Sequence, residues 1–349
     1  MPSDALDKNL PPWTILKILN WTESYFRSFK IDSPRLAAEI LLCHCLDIKR
    51  LDLYLQYDRP LDKKELAFCR ELISRRVQRE PVAYITGNKG FWESEFSVNP
   101  CVLIPRPDTE ILVETCLEIL DNSHKDKDAP VAQKQPVNKF KDSYFKFNDS
   151  YFKEALQEFH IRSKNKKLKI LELGAGSGAV IISLAKTWPS NSYFAMDISP
   201  AAAEATACNA LNILKKSKLF IFAGSWFSPL KRGQNFDLIV SNPPYIPSKE
   251  IDTLQPEIKK YEPRIALDGG EDGLDSIREI IAHAWKFLNP GGFLLLETGC
   301  DQKKNVEKIA KDYASYAFVK YIKDYSGHDR VAVLRKKSIK KEIAKRGGL

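Results

Sequence analysis

The chain has no apolar run long enough to cross a bilayer, and its N-terminus carries no signal-peptide pattern. Both absences argue against a membrane-spanning or exported protein and set the expectation of a reducing cytoplasm. Paired cysteines are missing as well. Cys43, Cys45, Cys69, Cys101, Cys116, Cys208 and Cys300 are scattered, with no C-x-x-C pair to suggest a zinc site or redox motif. Cys43-His44-Cys45 is a conceivable metal cluster, but it lies in an apolar helical run, where positions two apart point away from each other. Core packing is the expectation there, and no metal is expected anywhere.

The folded body also lacks the positive surplus that the net charge of +9 implies. Residues 122–168 carry a net +5 and residues 335–349 a net +6, so about −2 is left for the rest. Charge therefore supports at most a peripheral contact with nucleic acid, through appendages, and makes none necessary. What the chain does have is an ordinary globular composition, 44% apolar and 28% charged, and at 349 residues enough length for two domains.

Residues 12–85 read as a compact helical domain. Trp13, Leu16, Ile18 and Leu19 begin an apolar stripe, Leu36, Ile40, Leu41 and Leu46 continue it, and Leu66, Leu72, Ile73 and Val77 close it. Asp32-Ser33-Pro34 is a helix start. Residues 86–105 alternate in part (Phe91, Trp92, Phe96, Val98) as a hairpin linker would. Asp108-Thr109-Glu110 opens a further helix, where the two carboxylates either cap its positive end or line a pocket. Residues 122–167 read as an inserted surface segment, disordered in its early half. Within it 151–161 is a possible amphipathic helix with Phe152, Leu156 and Phe159 on one face.

From Leu168 strands and helices alternate, which predicts a parallel sheet covered on both faces. Strands are expected near 168–173, 192–196, 218–222, 236–241 and 293–297, followed by an antiparallel pair near 317–323 and 329–335 joined through Ser326-Gly327-His328. Helices are expected over 179–187, 200–214, 275–288 and 303–314.

Three strand ends carry chemistry. Residues 169–173 run into Gly174-Ala175-Gly176-Ser177-Gly178 and then an apolar helix, a strand–glycine loop–helix unit whose backbone can approach a ligand closely. Gly174, Gly176 and Ala179 also satisfy the dinucleotide fingerprint, so the loop by itself leaves a nicotinamide cofactor open. The next strand ends at Asp197, which suits two ribose hydroxyls in either cofactor class, or else caps the helix that Ser199-Pro200 opens. The third, Phe236–Ser241, stops at Asn242-Pro243-Pro244-Tyr245. Consecutive prolines fix their own φ and hold the preceding residue extended. Asn242 thus presents its carboxamide, with nearby backbone carbonyls, above the sheet. Such acceptors can grip both hydrogens of a planar NH2 group and aim its delocalised lone pair at an electrophile. That suits methyl transfer and has no use in hydride transfer.

Taken together these residues resemble the class I S-adenosylmethionine-dependent methyltransferases, and within them the peptide chain release factor glutamine N5-methyltransferases. The similarity extends through 31–42, the Gly87–Trp92 linker start, 103–110 (Leu-Ile-Pro-Arg-Pro-Asp-Thr-Glu), Ser225-Trp226-Phe227, 261–270 and 324–330. It covers about residues 12–121 and 168–335, and residues 122–167 depart from it.

The resemblance implies a Rossmann-like, seven-stranded, mostly parallel α/β sheet with an antiparallel C-terminal strand. A small helical domain (1–85) that recognises the protein substrate would precede it, joined by the 86–105 linker to a transferase domain (106–349) with a basic tail at 336–349. The implied activity is methylation of a release-factor glutamine in translation termination, with S-adenosylhomocysteine as product. Gly174, Ala175, Gly176, Ser177, Gly178, Asp197, Trp226 and Asn242 would bind cofactor. Asn242 and the Pro243 carbonyl would grip the amide, with Pro244 and Tyr245 walling it. Trp226 would pack on the adenine, although unaided it reads as a core tryptophan. Ser225 stands where relatives often have an acidic residue, so the resemblance carries no adenine-amino contact to that position. The histidines His283 and His328 are not needed as bases. Two other readings use the same residues: an N-methyltransferase acting on an exocyclic amine of DNA or RNA, with a base stacked on Tyr245, and a non-catalytic adaptor.

Overall fold

A computed structural model describes residues 12–121, 150–164, 166–214, 219–231 and 233–338. In chain order the helices and strands are α1 (Ile15–Ser28), α2 (Pro34–Leu46), α3 (Asp52–Leu55), α4 (Lys63–Val77), α5 (Val82–Thr86), β1 (Asn88–Phe91), β2 (Ser94–Ser97), α6 (Glu110–Leu120), α7 (Ser150–Ser163), β3 (Lys169–Leu173), α8 (Ala179–Thr187), β4 (Ser192–Asp197), α9 (Pro200–Ile213), β5 (Leu219–Ala223), β6 (Phe236–Ser241), α10 (Pro256–Tyr261), α11 (Asp275–Phe287), β7 (Leu288–Glu297), α12 (Lys303–Lys311), β8 (Tyr316–Lys323) and β9 (Asp329–Lys336). No described helix is long and apolar enough to cross a membrane.

The chain divides into two units, one running to Lys89 with Val98–Pro100 and Leu254–Glu262, the other comprising Gly90–Ser97, Cys101–Thr253 and the chain from Pro263. In the first, Ile15, Ile18, Leu19, Leu41, Leu42, Leu53 and Leu72 form a closed apolar centre. Cys43 and Cys45 lie half-buried against it, the Cys45 thiol donating to the Glu65 carbonyl at 3.2 Å. Asp62 and Glu65 cap α4 reciprocally, which satisfies two of the N–H groups a helix start leaves open. Ser33 precedes α2 in the left-handed region (φ 46°) and makes no side-chain cap, so Pro34 alone marks that start. Sequence periodicity gave no hint that α10 belongs to this unit. Its Glu257 takes Arg76 at 2.9 Å and Arg79 at 3.2 Å, and the Tyr261 hydroxyl donates to the Gln78 carbonyl at 2.8 Å.

The second unit contains a seven-stranded sheet of order β5-β4-β3-β6-β7-β9-β8. Strands β3 to β7 pair in parallel, and β9 runs antiparallel between β7 and β8. Parallel strands buried on both faces must be apolar throughout, and alternate residues divide between two cores. Ile170, Leu238, Val240, Phe293, Leu295, Val331 and Val333 face α6, α7 and α8. Leu171, Leu173, Ile239, Leu294, Leu296, Ala332 and Leu334 lie in the core that α11 and α12 complete. Strand β7 starts at Leu288, earlier than the expected 293. Leu288 pairs with Phe236 and Phe293 with Leu238 across a register shift, so Asn289-Pro290-Gly291-Gly292 bulges out of the ladder.

Helix α7 corrects the reading of residues 122–167 as wholly a surface insertion. Its Phe152 and Phe159 are buried, with ring centroids 6.2 and 5.3 Å from Phe293 in edge-to-face geometry, and Leu156 packs beside them. Glu158 pairs with Arg335 at 2.6 Å. The amphipathic stripe is thus part of the sheet's cover. The early half of that stretch (122–149) and the end of the tail (339–349) lie outside the described residues. Phe159→Ala is expected to cost about 3–5 kcal/mol in stability, read as a lowered denaturation midpoint.

Candidate active site

Strand order reverses between β3 and β6: β4 and β5 follow on one side of β3, and β7 follows β6 on the other. A crevice opens above such a switch point at the carboxyl ends of the strands. Leu173 pairs with Ser241, so the glycine loop and Asn242 leave the sheet side by side. A cavity of about 290 Å³ lies there, near the lower end of the roughly 300–1,000 Å³ usual for ligand sites.

The glycine loop is held before any ligand arrives. Gly174 and Ala175 N–H both donate to the Met196 carbonyl (2.8 and 3.0 Å), which folds the loop over the tip of β4. The Gly176 N–H donates to Asp197 Oδ2 at 2.8 Å, and the Ser199 N–H to Oδ1 at 2.9 Å. From α9, the Thr206 hydroxyl and the Asn209 carboxamide donate to the carbonyls of Gly176 and Ser177, each at 2.9 Å. Ser199, not Asp197, caps α9, so the capping alternative for Asp197 falls away. Burial raises the Asp197 pKa against the pull of its backbone donors. Beneath the loop Glu172 is buried and accepts from the Ile181 N–H at 3.0 Å. Desolvation pushes its pKa well above the ordinary value.

Gly174, Ala175, Gly176, Ser177, Asp197, Trp226, Asn242 and Pro244 all line the cavity. A Cβ built on Gly174 (φ 69°) or Gly176 (φ 57°) meets nothing within 4 Å. Trp226 is half-buried with φ 44°, an unfavourable conformation for a bulky residue that persists only where the surroundings enforce it. Ser225 is exposed and lies outside the lining.

Three expected residues do not line the cavity. Gly178 (φ 79°) turns the chain into α8, and a Cβ there would meet Ile182 at 2.7 Å and Thr206 at 2.8 Å. Its absent side chain serves packing. Pro243 is buried behind the wall. Tyr245 packs against the α11–α12 core, and its hydroxyl donates to Glu297 Oε1 at 3.3 Å.

The segment before α6 settles differently from either expectation. Asp108 pairs with Arg330 at 3.5 Å, and Glu110 accepts from the Trp92 N–H at 2.9 Å. Neither lines the cavity. The residue between them does: Thr109 Oγ1 accepts the Asn242 Nδ2–H at 3.1 Å. Gln302 clamps the corner's backbone, donating to the carbonyls of Tyr245 (2.9 Å) and Gly273 (3.1 Å). The Ile246 N–H reaches the Leu267 carbonyl and the Gly269 N–H returns to the Ile246 carbonyl, which brings Ile265, Ala266 and Asp268 to the wall. The sequence reading did not single out Thr109, which lines the cavity, or Glu297, which receives the Tyr245 hydroxyl behind it. Glu297 carried a legible signal, a carboxylate closing the buried apolar run 293–296, as Asp197 closes its own strand.

A parallel sheet with one antiparallel strand, a glycine loop and an acidic strand tip at the switch point define a class I methyltransferase. Residues 155–260 match the family described as methyltransferase small domain, and residues 17–87 the PrmC N-terminal domain. A release factor glutamine methyltransferase of Geobacter sulfurreducens is 39% identical over 84% of this chain and 87% of its own length. Proteins of the same name from Vibrio cholerae (38%; 86% and 90%) and Rhodopirellula baltica (31%; 95% and 99%) match comparably. The chain belongs to the release factor glutamine methyltransferase family.

The contrast between glycines is testable. Gly174→Ala and Gly178→Ala each place a side chain at positive φ, costing roughly 1–2 kcal/mol. Only Gly178→Ala adds the clash with Ile182 and Thr206, so it is expected to lower the melting temperature by the larger amount.

Proposed function

We propose that this chain transfers the methyl group of S-adenosylmethionine to the side-chain amide nitrogen (N5) of a glutamine in peptide chain release factors, a reaction of translation termination. One observation carries the reading: Asn242 gives an Nδ2 hydrogen to Thr109, an orientation that leaves Oδ1 as an acceptor on a residue that lines the cavity. A hydrogen-bond acceptor there is what an amide NH2 requires and what a carboxylate or a carbonyl substrate does not.

The cavity fits the cofactor. Side chains at Gly174 and Gly176 would enter it from the loop, and Asp197 supplies a preorganised carboxylate at the β4 tip. When bound, S-adenosylmethionine supplies a methyl on a cationic sulfonium. Gly174, Ala175, Gly176 and Ser177 hold its methionine part by close backbone approach. Asp197 accepts from the ribose hydroxyls, and Trp226 walls the adenine. Asn242 Oδ1 would accept one amide hydrogen and turn the nitrogen lone pair toward the methyl, while Pro243, buried and outside the lining, would hold the corner rigid. Positioning and exclusion of water do most of the work. The new N–CH3 bond leaves an acidic nitrogen that gives its proton to water, so neither His283 nor His328 is needed as a base.

We place the enzyme in the cytoplasm with release factors as partners and no membrane attachment. Contact with nucleic acid is not required, and the basic stretches at 122–167 and 336–349 support at most a peripheral one. Asn242→Ala is expected to lower the methylation rate roughly 10²–10³-fold, measured by mass spectrometry and fragmentation of release factor after reaction. Methylation of DNA or RNA with release factor left unmodified would overturn the substrate assignment. Asp197→Ala removes charge-assisted bonds and is expected to weaken cofactor binding by about 1.5–3 kcal/mol. Unchanged affinity in calorimetry would remove the ribose assignment.

A further inference from the structure

We propose that the amino-end edge of the seven-stranded sheet binds the phosphate backbone of RNA, at the pole opposite the cavity. The residues between α7 and β3 supply most of the charge. Arg162, Lys164, Lys166, Lys167 and Lys169 are all exposed, five cations in eight positions with no acidic residue among them. Lys337, also exposed, adds a sixth just past the end of β9. The two stretches meet at the β7 bulge. Arg162 donates to the Pro290 carbonyl, and Lys336 Nζ to the Leu288 carbonyl at 2.7 Å. A Cβ built on Gly291 would lie 2.7 Å from Arg162 Nη1, 2.9 Å from Ser338 Oγ and 3.4 Å from Arg335 Nη2. Strand direction fixes the placement. Strand β3 begins at Lys169, and β9 ends on the same side because it runs antiparallel to β7, with Arg335 opposite Phe293. At about 3.3 Å per residue, β3 puts roughly 13 Å between Lys169 and Leu173, where the glycine loop starts.

The cations of this edge go unanswered. Elsewhere surface charges pair, Arg27 with Glu23, Arg75 with Glu80 and Arg278 with Asp272. Among the described residues no carboxylate forms an ion pair with Lys164, Lys166, Lys167, Lys169 or Lys337. Two carboxylates at the edge are already engaged. Glu158 takes Arg335 at 2.6 Å, and Asp237 accepts from the Lys169 N–H at 2.9 Å and the Asn289 carboxamide at 2.7 Å. The dipole of α7 accounts for Arg162 in its last turn, but the lysines lie beyond the helix end. Like charges gathered this way repel, and a polyanion relieves the repulsion. A phosphodiester backbone fits, since it needs charge and no base-specific geometry. Residues 162–169 contain no aromatic to stack on a base. Their one large apolar side chain, Leu168, is buried, so the stretch offers no anchor for lipid or for a pocket on a protein partner. The choice of RNA over DNA rests on the reaction proposed above, which belongs to translation. The charge argument does not depend on it.

The test is binding of fluorescently labelled single-stranded RNA of mixed sequence to the full-length protein, followed by anisotropy across a salt series. The variant Lys164→Glu/Lys166→Glu/Lys167→Glu is compared with a charge-matched control, Lys63→Glu/Lys64→Glu/Lys304→Glu. All six lysines are exposed and none lines the cavity. The edge variant is expected to lose affinity at least about tenfold, with a plot of log affinity against log salt shallower by about 2. The control is expected to stay near wild type, and both variants to keep wild-type cofactor affinity. Equal weakening in the two variants would show that net charge, and not this edge, holds the RNA. That result overturns the proposal, as does an absence of RNA binding at low salt, or tighter binding to duplex DNA or to phosphatidylserine vesicles. Methylation of release factor by the wild-type protein, measured alongside, tests the proposed function separately, because none of the binding outcomes bears on it.

Discussion

Leu173 and Ser241 face each other across a parallel pair, and the chemistry of the molecule depends on that register. A slip of one residue between β3 and β6 would turn each strand's buried set to the opposite face. It would also carry Asn242 away from the glycine loop. The Ser241 hydroxyl donates to the Leu173 carbonyl at 2.7 Å, pinning the pair at the point where both chains leave the sheet. Ile170, Leu171, Leu238, Ile239 and Val240 beneath them are fully buried, so moving the register would disturb both cores together. The site inherits its precision from apolar packing that touches no ligand.

Above that register, order is maintained by polar groups that are themselves buried. Asp197 closes the glycine loop on β4, Glu172 anchors the first turn of α8, and Glu297 lies behind the Asn-Pro-Pro-Tyr corner. Each carboxyl is pushed toward its neutral form chiefly by desolvation. Buried charges are costly unless bonded, and here the donors are mostly backbone N–H groups fixed by the turns they stabilise. Little rearrangement is then required when a reactant arrives, which is the condition for efficient positioning.

Much of this was legible from residue order. Alternation of apolar runs and helical stripes located the strands from 169 onward, because a doubly covered parallel sheet leaves little choice of residue type. The diproline after Asn242 and the glycines after Leu173 were legible because each imposes a backbone geometry by itself. Side-chain partnerships across long separations were not. Thr109 lies 133 residues from Asn242, and nothing local in Asp108-Thr109-Glu110 distinguishes the useful hydroxyl from the two carboxylates around it. The stripe of α7 could be read as amphipathic, but not the sheet face that its Phe152 and Phe159 cover.

Residue order alone determined the elements, the family resemblance and the identity of the groups offered at each strand tip, since these follow from local backbone constraints and hydrophobic period. Tertiary structure decided which of those groups share a cavity, that Gly178 and Tyr245 stand outside it, and that Leu254–Glu262 belongs with the helical unit through Arg76 and Arg79. Those outcomes depend on packing between distant segments, where burial, charge pairing and the direction of a single hydrogen bond are set by neighbours that the local sequence does not contain.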